Sequence, residues 1–404
     1  MSALPNDTPS TIGPKPSSRG QVPSFLVMEV IAKAASLEAA GEKVFHLEVG
    51  QPSLGAPAKV IEVAQQGIAR EEIGYTPICG LPALRERIAA HYADWYGVHV
   101  DPAQVVVTVG ASGAFTLAFL AMFETGARIG LPIPGYPPYA NTLKVLGFEP
   151  VSIRVDSKTR FQLTADLLAR CPERLDGIIL ASPSNPCGTM LDKGQLEEIV
   201  AWCRESATGL IVDEIYHGLC FDVPMTTVLE IAPEAVVVNS FSKYFAMTGW
   251  RLGWLVAPMS LQPTIEDIAG NMFISAPTPS QLAAIEAFNH KDELNARNAM
   301  YARNRQCVLA ALSEAGLHKI APADGAFYVY LDIAELGLDS AELCQRLMDE
   351  ERLAITTGYD FDLERGGEFM RLSYACGEQD IAEAMRRLVG WVKRRRQAMA
   401  AGAA

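Results

Sequence analysis

No stretch of the 404-residue chain stays apolar for long. A membrane-spanning helix needs ~20 such positions in a row. The longest run, Leu117 to Phe123, suits a buried helix instead. Positive charge is also scarce. The chain has 34 Lys and Arg against 47 Asp and Glu, a formal net charge of -13. Such a balance argues against a general nucleic-acid or anionic-membrane surface, while leaving room for one local basic pocket. Histidines are few and do not cluster beside the eight cysteines, none of which form a CxxC pair. Neither a zinc site nor a disulfide framework is supported, and a reducing, cytoplasmic setting is expected. No apolar segment of the signal-peptide kind opens the chain. The span 1–20, rich in Pro, Ser, Gly and Thr, reads as a disordered leader. No internal repeat is visible.

What is present is alternation. Ser24 to Ala40 has helical spacing, and Val44 to Val49 reads as a short strand. Ala58 to Arg70 and Leu81 to Trp95 read as helices. Short apolar runs then recur at Val105 to Val109, Arg128 to Ile133, Gly177 to Ala181, Leu210 to Tyr216, Ala235 to Phe241 and Leu252 to Ala257. Helical patterns lie between them, at Ser112 to Phe123 and Asp192 to Ser206. Strands buried on both faces and alternating with helices predict a mostly parallel sheet covered on both sides. A long helix over His290 to Gly316 leads to strands at Ala326 to Asp332, Ala354 to Thr357 and Glu368 to Ser373, and to a final helix at Asp380 to Gln397. The chain therefore divides into an N-terminal segment (21–50) that joins a smaller α+β domain (291–404), with a large α/β domain between them (51–290).

In open parallel sheets, ligands bind at the carboxyl ends of the strands. Several chemically useful residues fall there. Ala111 and Ser112 follow one strand, opening a helix whose amides can face a phosphate. Asn185 follows another. Asp213 and Tyr216 close a third, and a buried carboxylate at that point calls for a cationic partner. Ser240 and Lys243 follow a fourth. A lone lysine is usually a solvated surface residue. Lys243, however, is flanked by Ser240 and Arg251, both able to donate to a phosphate. A lysine amine also attacks carbonyls to form a Schiff base, and pyridoxal phosphate (PLP) presents such a carbonyl. Tyr136, in the rigid loop Pro134 to Tyr139, can stack on a flat ring or simply pack as a wall. Arg371 interrupts an apolar strand and can grip a carboxylate with a two-pronged bond, or serve in an ion pair.

These motifs occur in an order that resembles the class I/II aminotransferases of PLP fold type I. Ser182-Pro183-Ser184-Asn185-Pro186-Cys187-Gly188-Thr189 comes first, then Val212-Asp213-Glu214-Ile215-Tyr216, Ser240-Phe241-Ser242-Lys243, Gly249-Trp250-Arg251-Leu252-Gly253 and Arg371-Leu372-Ser373-Tyr374. The resemblance runs from about Phe25 to the last helix. It implies a seven-stranded, mostly parallel sheet in the large domain. It further implies that Lys243 bonds the cofactor and then carries a proton between the substrate Cα and cofactor C4′. Asp213 would pair with the ring nitrogen, and Tyr216 and Asn185 would hydrogen-bond the ring oxygen. Tyr136 would stack on the ring. Ala111, Ser112, Ser240 and Arg251 would bind the phosphate. Arg371, with Asn185 and the backbone at Gly50, would hold the substrate carboxylate. Tyr75 would reach the phosphate of a neighbouring subunit, which implies a homodimer with shared sites. A cis bond at Asn185–Pro186 is a further implication, and such bonds are cheap before proline.

The activity implied is ping-pong transfer of an amino group from an L-amino acid to a 2-oxo acid. Some aspartate-specific members carry a lysine in the phosphate-loop region where this chain has Ser112, so a neutral donor is expected, with pyruvate or 2-oxoglutarate as acceptor. A cysteine-S-conjugate β-lyase of the same fold is the alternative. A non-catalytic regulatory role would require a DNA-binding domain, and the 20-residue leader falls short of the ~50 residues a domain needs.

Overall fold

A computed structural model describes residues 16–402. Most of the leader segment (1–15) lies outside the described residues, and its last three residues, Ser18–Gly20, form one 3-10 turn. The elements follow in this order. First come α1 (Val27–Ala39), β1 (Phe45–His46), α2 (Ala58–Ala69) and α3 (Pro82–Tyr96). The main alternation runs through β2 (Val105–Thr108), α4 (Gly110–Met122), β3 (Arg128–Ile133), α5 (Pro137–Leu146), β4 (Glu149–Arg154), α6 (Ala165–Ala169), β5 (Gly177–Ala181), α7 (Lys193–Ser206), β6 (Gly209–Asp213), β7 (Val236–Ser240) and β8 (Gly253–Val256). Two helices, α8 (Gln262–Met272) and α9 (Thr278–Ala287), precede the long α10 (Lys291–Glu314). The chain ends with β9 (Tyr328–Asp332), α11 (Ser340–Glu351), β10 (Leu353–Ala354), β11 (Thr356–Thr357), β12 (Phe369–Ser373) and α12 (Glu378–Ala400).

The central sheet has seven strands in the order β2-β8-β7-β6-β5-β3-β4. Only β8 runs against its neighbours; the others are parallel. The middle strands β5 and β7 are buried at every residue. That is why β5 reads Gly177-Ile178-Ile179-Leu180-Ala181 and β7 opens Val236-Val237-Val238, without alternation. Helices cover both faces, and an aliphatic cluster lies on each. Their ends are written in the chain. Pro82 and Pro137 sit in the first turns of α3 and α5, and left-handed Gly97 and Gly147 close them. Asp192 and Gln195 form a reciprocal capping box on α7.

Six of the seven strands coincide with the apolar runs; β4 does not. It is an edge strand with a mixed burial pattern, and it contains Pro150. The exposed positions of this edge strand, rather than its proline, hide the strand signal, since the inner strand β3 also carries a proline, Pro132. The run expected as one strand, Ala354 to Thr357, is split. Leu353–Ala354 pairs in parallel with β1, while Thr356–Thr357 pairs antiparallel with β12. The expected strand at Val44 to Val49 shrinks to β1, whose two residues form that parallel ladder. The N-terminal segment is thereby tied to the C-terminal part. The third sheet, β11-β12-β9, is antiparallel.

Candidate active site

The parallel strands of the central sheet end on one side, and a cavity of about 320 Å³ opens there. Because β8 runs the other way, its beginning lies among those ends. This is how Arg251, two residues before β8, comes to sit beside the turn that follows β2. Of the residues predicted for the site, Gly50, Ala111, Ser112, Tyr136, Asn185, Asp213, Tyr216, Lys243, Arg251 and Arg371 all line this cavity. Two do not. Ser240 is buried, and its hydroxyl donates to the Leu252 carbonyl at 3.1 Å and contacts Ser242 at 3.0 Å. Ser242 lines the cavity in its place. Tyr75 lies away from the cavity and is 84% exposed.

One end of the cavity is built for an anion. Helix α4 has no side-chain cap at its N-terminus, so its first amides are free to donate. Ala111 and Ser112 belong to that turn. Arg251 crosses over it: a Cβ on Gly110, which has φ +67°, would fall 2.6 Å from Arg251 Nη2. The guanidinium occupies the space that a side chain at Gly110 would take, and the positive φ itself favours glycine. Arg251 itself is held in the left-handed region at φ 52°, an uncommon conformation for a bulky residue. Its Nη1 donates to the Thr248 carbonyl at 3.1 Å.

The far wall carries a buried carboxylate. One oxygen of Asp213 accepts from the Ile215 amide at 3.0 Å, the other from the Tyr139 hydroxyl. Burial pushes the Asp213 carboxyl up to about 6, against the opposing pull of Tyr139, the Ile215 amide and the Lys243 charge. Among the described residues no cation pairs directly with it. Lys243 Nζ stands between the two ends and donates to the Gly50 carbonyl at 2.6 Å. Burial, and then the positive charge of Arg371, lower its ammonium to about 8. Tyr216 and Tyr328 meet hydroxyl to hydroxyl at 2.8 Å.

The mouth carries a guanidinium with no acidic partner. Arg371 is only 6% exposed. Its Nη1 donates to Asn185 Oδ1 at 2.9 Å, and its Nη2 to the Glu48 carbonyl and, at 3.2 Å, to Thr356 Oγ1. Its Nε has no partner. Its Cζ lies 4.5 Å from the centre of the Tyr328 ring and 4.8 Å from that of Phe361. A buried cation without a carboxylate is a costly arrangement unless a ligand supplies one. Asn185–Pro186 is cis, as are Ile133–Pro134 and Ser182–Pro183.

This donor set fits the expected cofactor at three points. Uncapped amides and Arg251 suit a phosphate, an unpaired buried carboxylate suits a protonated ring nitrogen, and a depressed lysine amine suits a carbonyl. The cavity volume falls within the range of small-molecule sites. Among the lining residues not marked in the sequence as site residues are two tyrosines, Tyr139 and Tyr328. Tyr136 caps α5 and Tyr139 is the third residue within it, and their rings lie 5.3 Å apart. Their spacing in the sequence was the available signal.

The family model for aminotransferase class I and II matches residues 42–388. A valine–pyruvate aminotransferase of Mycobacterium tuberculosis is 44% identical over 93% of this chain and 97% of its own length. A (5-formylfuran-3-yl)methyl phosphate transaminase of Methanocaldococcus jannaschii is 32% identical over 90% of this chain and 96% of its own. Among solved structures, an aminotransferase from Mycobacterium tuberculosis superposes with a TM-score of 0.92 at 43% identity, covering 95% of this chain and all of the other.

Proposed function

The chain belongs to the class I and II aminotransferases, a family of PLP enzymes, and we propose that it moves the amino group of a neutral L-amino acid to a 2-oxo acid in two successive half-reactions. The observation that carries this reading is the placement of Lys243 Nζ in one cavity with the Arg371 guanidinium, which has no acidic partner, and the buried Asp213 carboxylate.

In this reading Ala111, Ser112, Ser242 and Arg251 hold the cofactor phosphate, Asp213 holds the ring nitrogen, and Tyr216 and Asn185 donate to the ring oxygen. Tyr136 covers the ring face. Bound PLP supplies an electron sink that makes the substrate α-proton acidic. Arg371 takes the substrate carboxylate in a forked, charge-assisted pair, and Asn185 assists it. That clamp fixes where Cα lies relative to Lys243. The Lys243 amine then carries the proton away from Cα, and burial favours the neutral form that can accept it. One clamp and one amine serve both substrates, and a cavity of about 320 Å³ suits one at a time. These features support a ping-pong order, in which the first oxo acid leaves before the second arrives.

A neutral donor is supported by a count of cations. Lys243, Arg251 and Arg371 are the charged donors among the cavity-lining residues, and each already has a task. None of them is left for a second carboxylate. The relative named as a valine–pyruvate aminotransferase agrees with this reading. Homodimer formation is supported by Tyr75 and by a surface cleft of about 650 Å³ beside Arg251, lined by the 51–56 loop and Trp250. A cytoplasmic setting is supported by the eight free thiols.

The test is to supply amino acids singly to the PLP-loaded enzyme without an acceptor. Valine, alanine or another neutral donor should release one equivalent of its oxo acid per chain. Release from aspartate alone would overturn the neutral-donor reading. Ammonia with repeated turnover would overturn amino transfer itself.

A further inference from the structure

Three groups used by the proposed mechanism converge on one tyrosine that the mechanism itself does not use. Tyr328 is 1% exposed, at the start of β9. Its hydroxyl lies 2.8 Å from that of Tyr216. Its ring face lies 4.5 Å from the Arg371 guanidinium. The hydroxyl is also packed onto the chain at Gly50, where a Cβ would fall 1.6 Å away. The Gly50 carbonyl in turn holds Lys243 Nζ. The phenol is therefore held on two sides, by Tyr216 and by the chain at Gly50.

We propose that Tyr328 is a positioning residue: its hydroxyl donates to Tyr216 Oη and so turns the single Tyr216 proton toward the ring oxygen of the bound cofactor, while its ring steadies the Arg371 fork. The inference rests on the reading in which Tyr216 donates to that oxygen. The argument is one of proton supply. Each hydroxyl has one proton to give and can accept two. Charged Arg371 and Lys243, which face the pair, are donors only. Tyr136 is the other titratable group near Tyr216. If Tyr216 gives its proton to the cofactor, its own oxygen is the acceptor left for Tyr328. A donor in such a chain is strengthened by the bond it accepts. Burial raises both phenols, so both keep their protons at neutral pH.

The readout is the pH at which the bound cofactor's absorbance titrates. Hydrogen bonding stabilises the anionic ring oxygen, so weaker donation moves that pH upward. Tyr216→Phe should raise it most. Tyr328→Phe keeps the ring and loses the hydroxyl, and should raise it by about half a unit. The double variant should shift no further than Tyr216→Phe alone, because Tyr328 acts through Tyr216. The KM for the amino acid should stay near wild type in Tyr328→Phe and rise in Tyr328→Leu, which removes the ring from Arg371. An unmoved spectrum in Tyr328→Phe, with Tyr216→Phe shifted, would overturn the proposal alone. An unmoved spectrum in Tyr216→Phe would overturn the reading beneath it as well. Additive shifts in the double variant, or failure of both Tyr328 variants to fold, would make Tyr328 a core residue and overturn its role.

Discussion

Burial acts on Lys243 and Asp213, which both face the cavity, with opposite results. It lowers the Lys243 ammonium to about 8 and raises the Asp213 carboxyl to about 6. Each shift favours the uncharged form. Asp213 can receive a ring cation only when it is ionised. Cofactor affinity should therefore hold above about pH 6 and weaken as pH falls through that value, since protonation removes the carboxylate. Titrating PLP into the cofactor-free protein between pH 5 and 8 checks this. An Asp213→Asn protein should bind weakly and show no such step; a step retained in it would assign the titration elsewhere. Asp213, Asn185 and Lys243 were legible in the sequence because each follows a recognisable buried strand. Tyr328 was not, because it enters from a different sheet and meets Tyr216 only through tertiary packing. The serine pair shows a finer limit. Sequence reasoning placed the phosphate donor at Ser240, but which of two serines in Ser240-Phe241-Ser242 lines the cavity depends on a backbone turn that no pattern reveals.

Helix α1 and strand β1 show how the N-terminal segment is fastened. The Leu26 and Val27 amides, at the open end of α1, both donate to the Asp360 carboxylate, at 2.7 and 2.9 Å. This cap comes from more than 300 residues away, so no local capping signal exists in the sequence. His46, in β1, bridges Glu48 at 2.8 Å and Glu38 of α1 at 3.0 Å. The Glu48 side-chain bond is the largest cause that lifts His46 to about 9. A raised histidine stabilises the fold fully below its unfolded value near 6.5 and loses that contribution as pH rises through about 9. His46→Gln should thus lower the melting temperature at pH 6 and converge with wild type above pH 9. Because His46 is partly exposed, the effect should amount to about 1 kcal/mol at most. An equal deficit at both pH values would mean packing, not charge. The bridge matters to the site because the Glu48 carbonyl accepts from Arg371. Helix α9 was missed for a different reason. Its opening, Thr278-Pro279-Ser280, reads as a turn, yet proline is favoured in a first helical turn.

The single chain leaves features that a second copy would explain. Tyr75 is 84% exposed, while Ile68 and Ile73 nearby are each 53% exposed. Such residues are costly to leave in water and are commonly covered in symmetric dimers. Sedimentation should give twice the 43.7 kDa chain mass. Tyr75→Ala should weaken PLP binding about tenfold, the loss of one charge-assisted hydrogen bond. A surface tyrosine of a monomer would have no such effect, so a monomer with unchanged affinity would contradict the shared site. The resemblance in the sequence could suggest this arrangement. Periodicity could not, because a strand or helix pattern says which face is apolar and not whether another chain covers it.

The most direct test concerns Lys243. The PLP-loaded protein is treated with borohydride, which fixes a lysine–cofactor bond permanently, and is then digested and mapped by mass spectrometry. The account predicts one modified peptide, the one containing Lys243, and none in Lys243→Ala, which should also lose transamination. Label on a different lysine, or near-normal turnover in Lys243→Ala, would contradict it.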